Sequence, residues 1–325
     1  MRVVQVTEFG PPDRLVAAEV PDPSPGAGQI LIRLAAASVN RADALLRAGG
    51  YHILPPLPVT PGTEGAGFVE ALGAGVDGFA IGDRVVAWGV PGFYAELVVA
   101  EAKKVVLLPP SVDFDVAAAL PVTWLSARYC LNELARVRKG DVVLIHAAAS
   151  GVGSAAIQVA KHAGAVVIAV VGSSDKEAFV RNLGAGHVVL RGDQDLIEQV
   201  MRLTDKRGAD VVLDLAGGEA FAQSVRAVAQ GGRVVAMANV ALTPSTIDTR
   251  DFYPKNVTIF GFQFTNLQRL GWNPRPDLIA LLDLVAAGRF VVSIDQRFPL
   301  TDAAAAHRRI ESNETRGKIL LTVGS

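Results

Sequence analysis

A run of small residues between a predicted strand and a predicted helix is the strongest chemical signal in this 325-residue sequence. The run, Ala147–Gly153, directly follows the short apolar strand Val142–His146. Small residues let the backbone approach phosphate groups closely, and a helix N-terminus offers N–H groups and the positive end of its dipole. The turn therefore predicts a pyrophosphate site formed by the consecutive residues Ser150, Gly151, Val152 and Gly153.

The match to the dinucleotide pattern G-x-G-x-x-G is imperfect, because its three positions hold Ala148, Ser150 and Gly153. Alone, such a turn could serve only to pack a helix against a strand. Its place inside a series of alternating strands and helices favours nucleotide binding.

The end of the next predicted strand bears on which nucleotide is bound. NAD-binding enzymes place Asp or Glu there to accept hydrogen bonds from the ribose hydroxyls. This chain has no acid at that tip, and the residues there that could contact a 2′-phosphate are Gly172, Ser173, Ser174, Lys176 and Arg191. An acid would repel such a phosphate, so its absence favours NADPH. The alternative is that Lys176 is only a solvated lysine in the first turn of a helix.

The middle of the chain, about 140–262, supplies the elements that position these residues. Six short apolar runs alternate there with helical stretches at 152–163, 175–183, 194–205 and 218–229. Strands that are apolar along their whole length indicate a parallel sheet buried on both faces. The pattern predicts an α/β fold with a doubly wound parallel sheet. The six runs are Val142–His146, Val166–Val171, His187–Leu190, Asp210–Leu215, Arg233–Ala238 and Thr258–Phe262.

The two ends of the chain have a different texture. The first 118 residues combine short β-type runs with Gly- and Pro-rich turns, which predicts a mostly antiparallel or barrel-like β domain. The last zone offers helices at about 276–287 and 302–312 and strands at Phe290–Ile294 and Lys318–Val323. It is too small to fold alone, so we expect it to complete the first domain. The predicted boundaries are 1–120, 121–262 and 263–325.

Composition limits the classes of function. The chain has 31 basic and 32 acidic residues and a formal net charge of −1, which gives no reason to expect nucleic acid or an anionic membrane as a partner. The single cysteine, Cys130, excludes an intramolecular disulfide and a multi-cysteine metal site. No apolar run approaches the ~20 residues of a membrane-spanning helix, and the N-terminus lacks a signal-peptide pattern. We expect a cytoplasmic enzyme that acts on a small molecule.

Several motifs, in order along almost the whole chain, resemble the medium-chain dehydrogenase/reductase family. This resemblance implies a GroES-like, mostly-β catalytic domain made by both chain ends around a Rossmann domain. The motifs are Ser38–Asp43, Pro61–Gly67, Asp83–Val85, Leu120–Thr123, Ala147–Gly153 with Gln158–Lys161, Leu183–Ala185, Gly231–Val235 and Arg316–Ile319.

The chain departs from the zinc alcohol dehydrogenases of this family at their metal ligands. Those enzymes carry Cys near the position of Asn40 and His at the position of Thr63. Asn and Thr are poor zinc ligands, so no metal site is predicted. The resemblance is to the zinc-free branch, similar to quinone oxidoreductases and zeta-crystallin, which has Asn at this position.

That branch implies hydride transfer from NADPH to a quinone or an α,β-unsaturated carbonyl. Without zinc, hydrogen-bond donors or water must stabilise the charge on the substrate oxygen. The candidates that the resemblance supplies are Asn40, Tyr51 and Thr123, of which Asn40 and Thr123 are implied to lie near the nicotinamide. Tyr51 could donate a proton or simply form a wall of the cleft. Further cofactor contacts implied by the resemblance are Asn239, Phe262, Arg316 and Lys318.

Other readings stay open. Asp43 and Glu64 are interpreted as structural carboxylates, satisfied by backbone N–H groups or by an arginine such as Arg47. A related enzyme class, the enoyl-thioester reductases, and a non-catalytic, crystallin-like NADPH-binding protein are the alternative functions. The resemblance also implies a homodimer, formed by edge pairing of the strand Thr258–Phe262.

Overall fold

The computed structural model describes residues 1–89, 91–192 and 195–324. The chain forms two compact units. One, here called the mixed-sheet unit, combines Met1–Val122 with the segment from Asn273 to the C-terminus. The other, the parallel-sheet unit, is Thr123–Trp272.

A six-stranded, all-parallel sheet organises the parallel-sheet unit. Its strands are β8 (Val142–Ile145), β9 (Val166–Val171), β10 (His187–Leu190), β11 (Ala209–Asp214), β12 (Val228–Ala236) and β13 (Thr258–Gly261). Their spatial order is β10-β9-β8-β11-β12-β13. This is the doubly wound order of dinucleotide-binding folds, with the reversal point between β8 and β11. It confirms the predicted fold class.

The helices of this unit alternate with the strands. They are α3 (Pro121–Arg128, which begins in the other unit), α4 (Gly151–His162), α5 (Glu177–Leu183), α6 (Leu196–Leu203), α7 (Gly218–Ala227) and α8 (Phe264–Arg269), and a π-helical segment, Tyr129–Leu134, continues α3. The helix predicted over 194–205 begins at Leu196, and Gln194 lies outside the described residues.

A seven-stranded sheet forms the core of the mixed-sheet unit. Its strands are β3 (Gln29–Val39), β4 (Glu64–Leu72), β5 (Arg84–Trp88), β6 (Leu97–Glu101), β7 (Val105–Leu107), β14 (Ile294–Pro299) and β15 (Lys318–Thr322), while β1 (Arg2–Val6) and β2 (Leu15–Glu19) make a separate two-stranded sheet. The C-terminal strand β15 pairs antiparallel with β3. The segment after residue 272 therefore completes the unit that the N-terminal segment begins.

The helices of the mixed-sheet unit are α1 (Arg41–Ala48), α2 (Phe114–Ala118), α9 (Arg275–Ala286) and α10 (Ala303–Glu311). The strand predicted at Phe290–Ile294 is wrong, because the ladder begins only at Ile294, where β14 meets β15. Phe290 and Val292 are buried and Val291 is 59% exposed. This alternation imitates a strand, but residues 290–293 belong to no ladder of the described chain.

No helix in the described residues is long and apolar enough to cross a membrane.

Candidate active site

Asn40 lies at the junction between β3 and α1. Its backbone is extended and α1 begins at the next residue, so Asn40 is the N-cap of this helix. The backbone N–H of Asn40 donates to Oδ2 of Asp43 at 2.8 Å. The asparagine is only 7% exposed, so its side chain must find most of its hydrogen-bond partners inside the protein.

Glu64 is the main acceptor beside Asn40. Its carboxylate is completely buried at the first residue of β4. Oε1 accepts hydrogen bonds from Oγ of Ser38 at 2.5 Å and from Nδ2 of Asn40 at 2.8 Å. Oε2 accepts from the backbone N–H of Val122 at 2.6 Å, in the first turn of α3. A carboxylate in that place satisfies a helix N–H that has no partner within the helix.

Lys318 completes this group. It is the first residue of β15, and the pairing of Ile319 with Val39 brings it beside Asn40. Its Nζ donates to Oδ1 of Asn40 at 2.7 Å and forms an ion pair with Oε1 of Glu64 at 2.9 Å. We call Ser38, Asn40, Glu64 and Lys318 the Asn40 cluster.

A second buried network lies behind the cluster. The Tyr94 hydroxyl is 2.9 Å from Nε2 of His307 and donates to Oδ2 of Asp43 at 3.5 Å. Burial raises the pKa of Asp43 to about 7, opposed by the hydrogen bond from the Asn40 backbone and by the charge of Lys318. Burial, helped by the charge of Arg47, lowers the pKa of His307 to about 3. The Tyr94 hydroxyl thus contacts both an acid that resists ionisation and a histidine that resists protonation.

The two carboxylates interpreted as structural are satisfied in different ways. Asp43 accepts from the backbone, and Glu64 is held by the Asn40 cluster. The suggested partner Arg47 pairs instead with Glu311. Arg47 is buried, and its ion pair with Glu311 links α1 to α10.

Two other predicted residues of this unit lie nearer the surface. Tyr51 is half-buried in the loop after α1, and its ring lies 4.2 Å from that of His52, centroid to centroid. Arg316 is exposed, and its backbone N–H donates to Oδ1 of Asp295 at 3.0 Å.

In the parallel-sheet unit, the small-residue turn has the geometry of a phosphate-binding helix start. Ser150 caps α4, and its Oγ accepts from the backbone N–H of Gly153 at 3.1 Å. A Cβ on Gly153 would lie 2.4 Å from the carbonyl oxygen of Ala147, so only glycine fits. Gly151 and Val152, the first two helical residues, have N–H groups without acceptors in the helix. These two amides are the best placed for an anion.

The tip of β9 brings together part of the group predicted to contact a 2′-phosphate. Gly172, Ser173, Ser174 and Arg191 are all exposed. A Cβ on Gly172 would lie 3.6 Å from Nη2 of Arg191, so the guanidinium lies against the position where an acid would stand. Lys176 differs, because it is only 7% exposed.

Two of the remaining predicted cofactor residues follow strands of the parallel sheet, and the third lies in α3. Asn239 follows β12, is exposed, and donates through Nδ2 to the Thr243 carbonyl at 2.9 Å. Phe262 follows β13 and is buried against Tyr129, with ring centroids 5.7 Å apart. Thr123 is buried in the first turn of α3.

No group of three or more His, Cys, Asp or Glu residues that could hold a metal ion occurs within the described parts of the chain. Where the resemblance places zinc ligands, at Asn40 and Thr63, the structure has an amide and a hydroxyl 3.5 Å apart.

Sequence reasoning missed how the Asn40 cluster is assembled. Lys318, 278 residues from Asn40 along the chain, was predicted to contact the cofactor. Ser38, which donates to Glu64, was only part of a motif. One signal was available: the terminal strand Lys318–Val323 was expected to return to the first domain, which would place a lysine at the start of a strand in its sheet.

Comparison with known proteins assigns this combination of units to a class. Residues 26–110 match the family described as alcohol dehydrogenase GroES-like domain, and residues 151–286 match the family described as zinc-binding dehydrogenase. The chain is 33% identical over 325 residues to a quinone oxidoreductase of Pseudomonas aeruginosa, covering 98% of both proteins. The chain therefore belongs to the medium-chain dehydrogenase/reductase family.

Two solved structures show the same relationship. Escherichia coli quinone oxidoreductase complexed with NADPH has a TM-score of 0.92 at 30% identity, over 99% of this chain and 100% of that one. A structure described as an NAD-dependent alcohol dehydrogenase also has a TM-score of 0.92, at 34% identity and full coverage of both chains. Because both cofactors occur among such close structural relatives, the fold alone does not set the cofactor preference.

Proposed function

We propose that this protein reduces a quinone or an α,β-unsaturated carbonyl compound with NADPH, by hydride transfer without zinc. The observation that carries the proposal is the Asn40 cluster, which holds a neutral amide where zinc-dependent relatives carry a metal ligand. The relationship to quinone oxidoreductases over nearly the whole chain supports the same reaction class.

The residues of the parallel-sheet unit fit NADPH. Gly151 and Val152 offer helix N-terminal amides to the pyrophosphate, next to the cap residue Ser150 and to Gly153. At the tip of β9, the exposed guanidinium of Arg191 lies against Gly172, where an acid would repel a 2′-phosphate. Ser173 and Ser174 add hydroxyl donors. The other proposed cofactor residues are Lys176, Asn239, Phe262 and Thr123 of this unit and Arg316 of the mixed-sheet unit.

Bound NADPH would supply the hydride that forms the new C–H bond at the β-carbon or on the quinone ring. The electron pair of the reduced double bond then moves to the carbonyl oxygen, where negative charge develops. Asn40 is proposed to donate a hydrogen bond from Nδ2 to that oxygen. The proton that completes the reduction comes from the Tyr51 hydroxyl or from water that it orients.

The direct test is an assay of purified protein with NADPH or NADH against a panel of quinones, enones and enoyl-CoA thioesters. We expect oxidation of NADPH with quinones or simple enones. No oxidation of either cofactor across the panel would refute the enzymatic function. Preference for the enoyl-CoA thioesters would assign the chain to enoyl-thioester reduction, and one equivalent of zinc per chain by elemental analysis would refute the zinc-free mechanism.

A homodimer is also proposed. β13 lies at one edge of the parallel sheet, and its backbone can pair with the same strand of a second copy. Ile259 on this strand is 37% exposed, which is the apolar surface that such pairing would cover.

A further inference from the structure

Lys318 is more deeply enclosed than a lysine that binds a phosphate at a cleft surface. Its side chain is 4% exposed and Nζ faces three acceptors: Oδ1 of Asn40 at 2.7 Å, Oε1 of Glu64 at 2.9 Å and the Val39 carbonyl at 3.3 Å. An ammonium group has three N–H donors, so these contacts use its whole capacity inside the mixed-sheet unit.

The charges beside Asn40 determine which way its amide points. Oδ1 faces the Lys318 ammonium and Nδ2 faces the Glu64 carboxylate at 2.8 Å. A rotation of the amide by 180° would place NH2 against the ammonium and oxygen against the carboxylate. The ion pair therefore fixes Asn40 in one orientation, with its NH2 group on the side of Glu64 and Thr63.

One N–H of Asn40 is left weakly engaged in this orientation. The first is committed to Glu64, and the second has only the Thr63 Oγ1 contact at 3.5 Å, which is long for a hydrogen bond. The amide carbonyl accepts from a cation, and this polarises the amide so that its N–H groups become better donors.

We propose that Lys318 is a positioning residue: through Oδ1 it orients and polarises the Asn40 amide, so that a strengthened N–H is presented to the substrate oxygen. The inference rests on the proposed function of Asn40 and replaces the cofactor contact predicted for Lys318. The chain's own ammonium thus supplies positive charge to the reacting oxygen through a neutral side chain.

A purely structural role would need Lys318 to satisfy Glu64. The carboxylate already accepts hydrogen bonds from Ser38, Asn40 and the Val122 backbone. Buried ion pairs also contribute little net stability compared with apolar residues of similar volume. Stability alone therefore gives little reason for an ammonium at this position.

The test compares Lys318→Met with the double variant Lys318→Met/Glu64→Gln. The single variant leaves Glu64 buried without its cation and could fail to fold, whereas the double variant removes both charges. Loss of a direct oxyanion donor costs about 10²–10³ in kcat, so loss of a residue acting through that donor should lower kcat about tenfold to a hundredfold. The KM and the Kd for NADPH should stay within about twofold of wild type.

Lys255→Met is the matched control. Lys255 also donates to three acceptors, but these are the backbone carbonyls of Val225, Arg226 and Val228. Its removal should leave kcat unchanged. For Lys318, a higher Kd for NADPH with kcat retained would overturn the proposal in favour of a cofactor contact, and a double variant with wild-type kcat would overturn it outright.

A spectroscopic readout separates this proposal from the proposed function. In asparagine-selective 15N NMR, the side-chain amide signal of Asn40, assigned by its loss in Asn40→Ser, should differ between the double variant and Glu64→Gln alone, and should stay in place in Lys255→Met. The Glu64→Gln reference is needed because Glu64 itself accepts from Nδ2 of Asn40. If the wild type turned over no substrate, the proposed function would fail, while this difference would still support the orientation by Lys318. The same Asn40 signal in the double variant and in Glu64→Gln would refute that orientation whatever the activity.

Discussion

At the scale of single residues, the tip of β9 gives the sharpest prediction about the cofactor. Replacing Gly172 with Asp would place a carboxylate against the Arg191 guanidinium, which a Cβ there would approach to 3.6 Å. The acid would neutralise the arginine and repel a 2′-phosphate, while it could accept from ribose hydroxyls. We expect kcat/KM for NADPH to fall by roughly tenfold or more, equivalent to about 1.4 kcal/mol per factor of ten.

NADH is the control for this variant, because it lacks the 2′-phosphate. In Gly172→Asp, kcat/KM for NADH should stay the same or rise. Arg191→Ala should lower kcat/KM for NADPH and leave kcat/KM for NADH unchanged. Equal losses with both cofactors would show that the substitution had damaged the fold and would count against the phosphate argument.

Two buried groups, Asp43 and His307, should make stability depend on pH in opposing ways. The folded pKa of Asp43 is about 7 against an ordinary 3.8, so the folded state holds the extra proton between these values and stability falls as pH rises through this window. The folded pKa of His307 is about 3 against 6.5, so the unfolded state holds the extra proton and stability rises with pH over that range. Each slope is at most about 1.4 kcal/mol per pH unit.

Asp43→Asn removes the contribution of Asp43, so the pH dependence of stability that remains should be the one caused by His307. We expect its free energy of unfolding, from urea titrations at pH 4, 5.5 and 7.5, to increase with pH more steeply than that of wild type. Asp77→Asn, at an exposed loop aspartate of the same unit, is the control and should follow wild type. If Asp43→Asn followed wild type at all three pH values, Asp43 would not titrate within this range.

At the scale of elements, the sequence predicts the parallel sheet far better than the rest. β9 and β10 have the bounds expected from their apolar runs, because strands buried on both faces carry the signal in every residue. α1 was not predicted, since Asn40–Asp43 was read only as a family motif. The strand predicted at Phe290–Ile294 was wrong. Its side chains alternate between buried and exposed as in a strand, but this alternation also occurs in a segment that pairs with no neighbouring strand.

Ser150 offers an element-scale test that separates helix stability from cofactor binding. Ser150→Ala removes the oxygen that caps α4 and should cost about 1 kcal/mol of unfolding free energy. Ser150→Asp keeps a capping oxygen but adds a negative charge where we place the pyrophosphate. We expect the aspartate variant to retain its stability in urea and to bind NADPH at least tenfold more weakly by fluorescence titration.

The two substitutions should change different measurements: Ser150→Ala lowers the free energy of unfolding, and Ser150→Asp weakens NADPH binding. An aspartate variant that bound NADPH as tightly as wild type would exclude the N-terminus of α4 as the pyrophosphate site. An alanine variant with unchanged stability would show that the capping bond between Ser150 and Gly153 contributes little to the fold.

At the scale of the whole molecule, the Asn40 cluster shows why the site was only half predictable. Each of its residues stands in a recognisable motif, but Lys318 reaches Asn40 only because β15 pairs with β3. Local patterns carry no information about which side chains meet across a pairing between the two ends of the chain. The predicted return of the C-terminal segment to the first domain places β15 in its sheet, but it does not predict the contact between Lys318 and Asn40.

The proposed dimer is the remaining prediction at this scale. If β13 pairs with its copy, Ile259 is covered, and Ile259→Lys would place like charges across the interface. By light scattering, we expect wild type at twice 34.1 kDa and the variant shifted toward 34.1 kDa. Val188→Lys, on β10 at the opposite edge of the same sheet, should stay dimeric. A monomeric wild type would refute the dimer, and a dimeric Ile259→Lys together with a monomeric Val188→Lys would move the interface to the β10 edge.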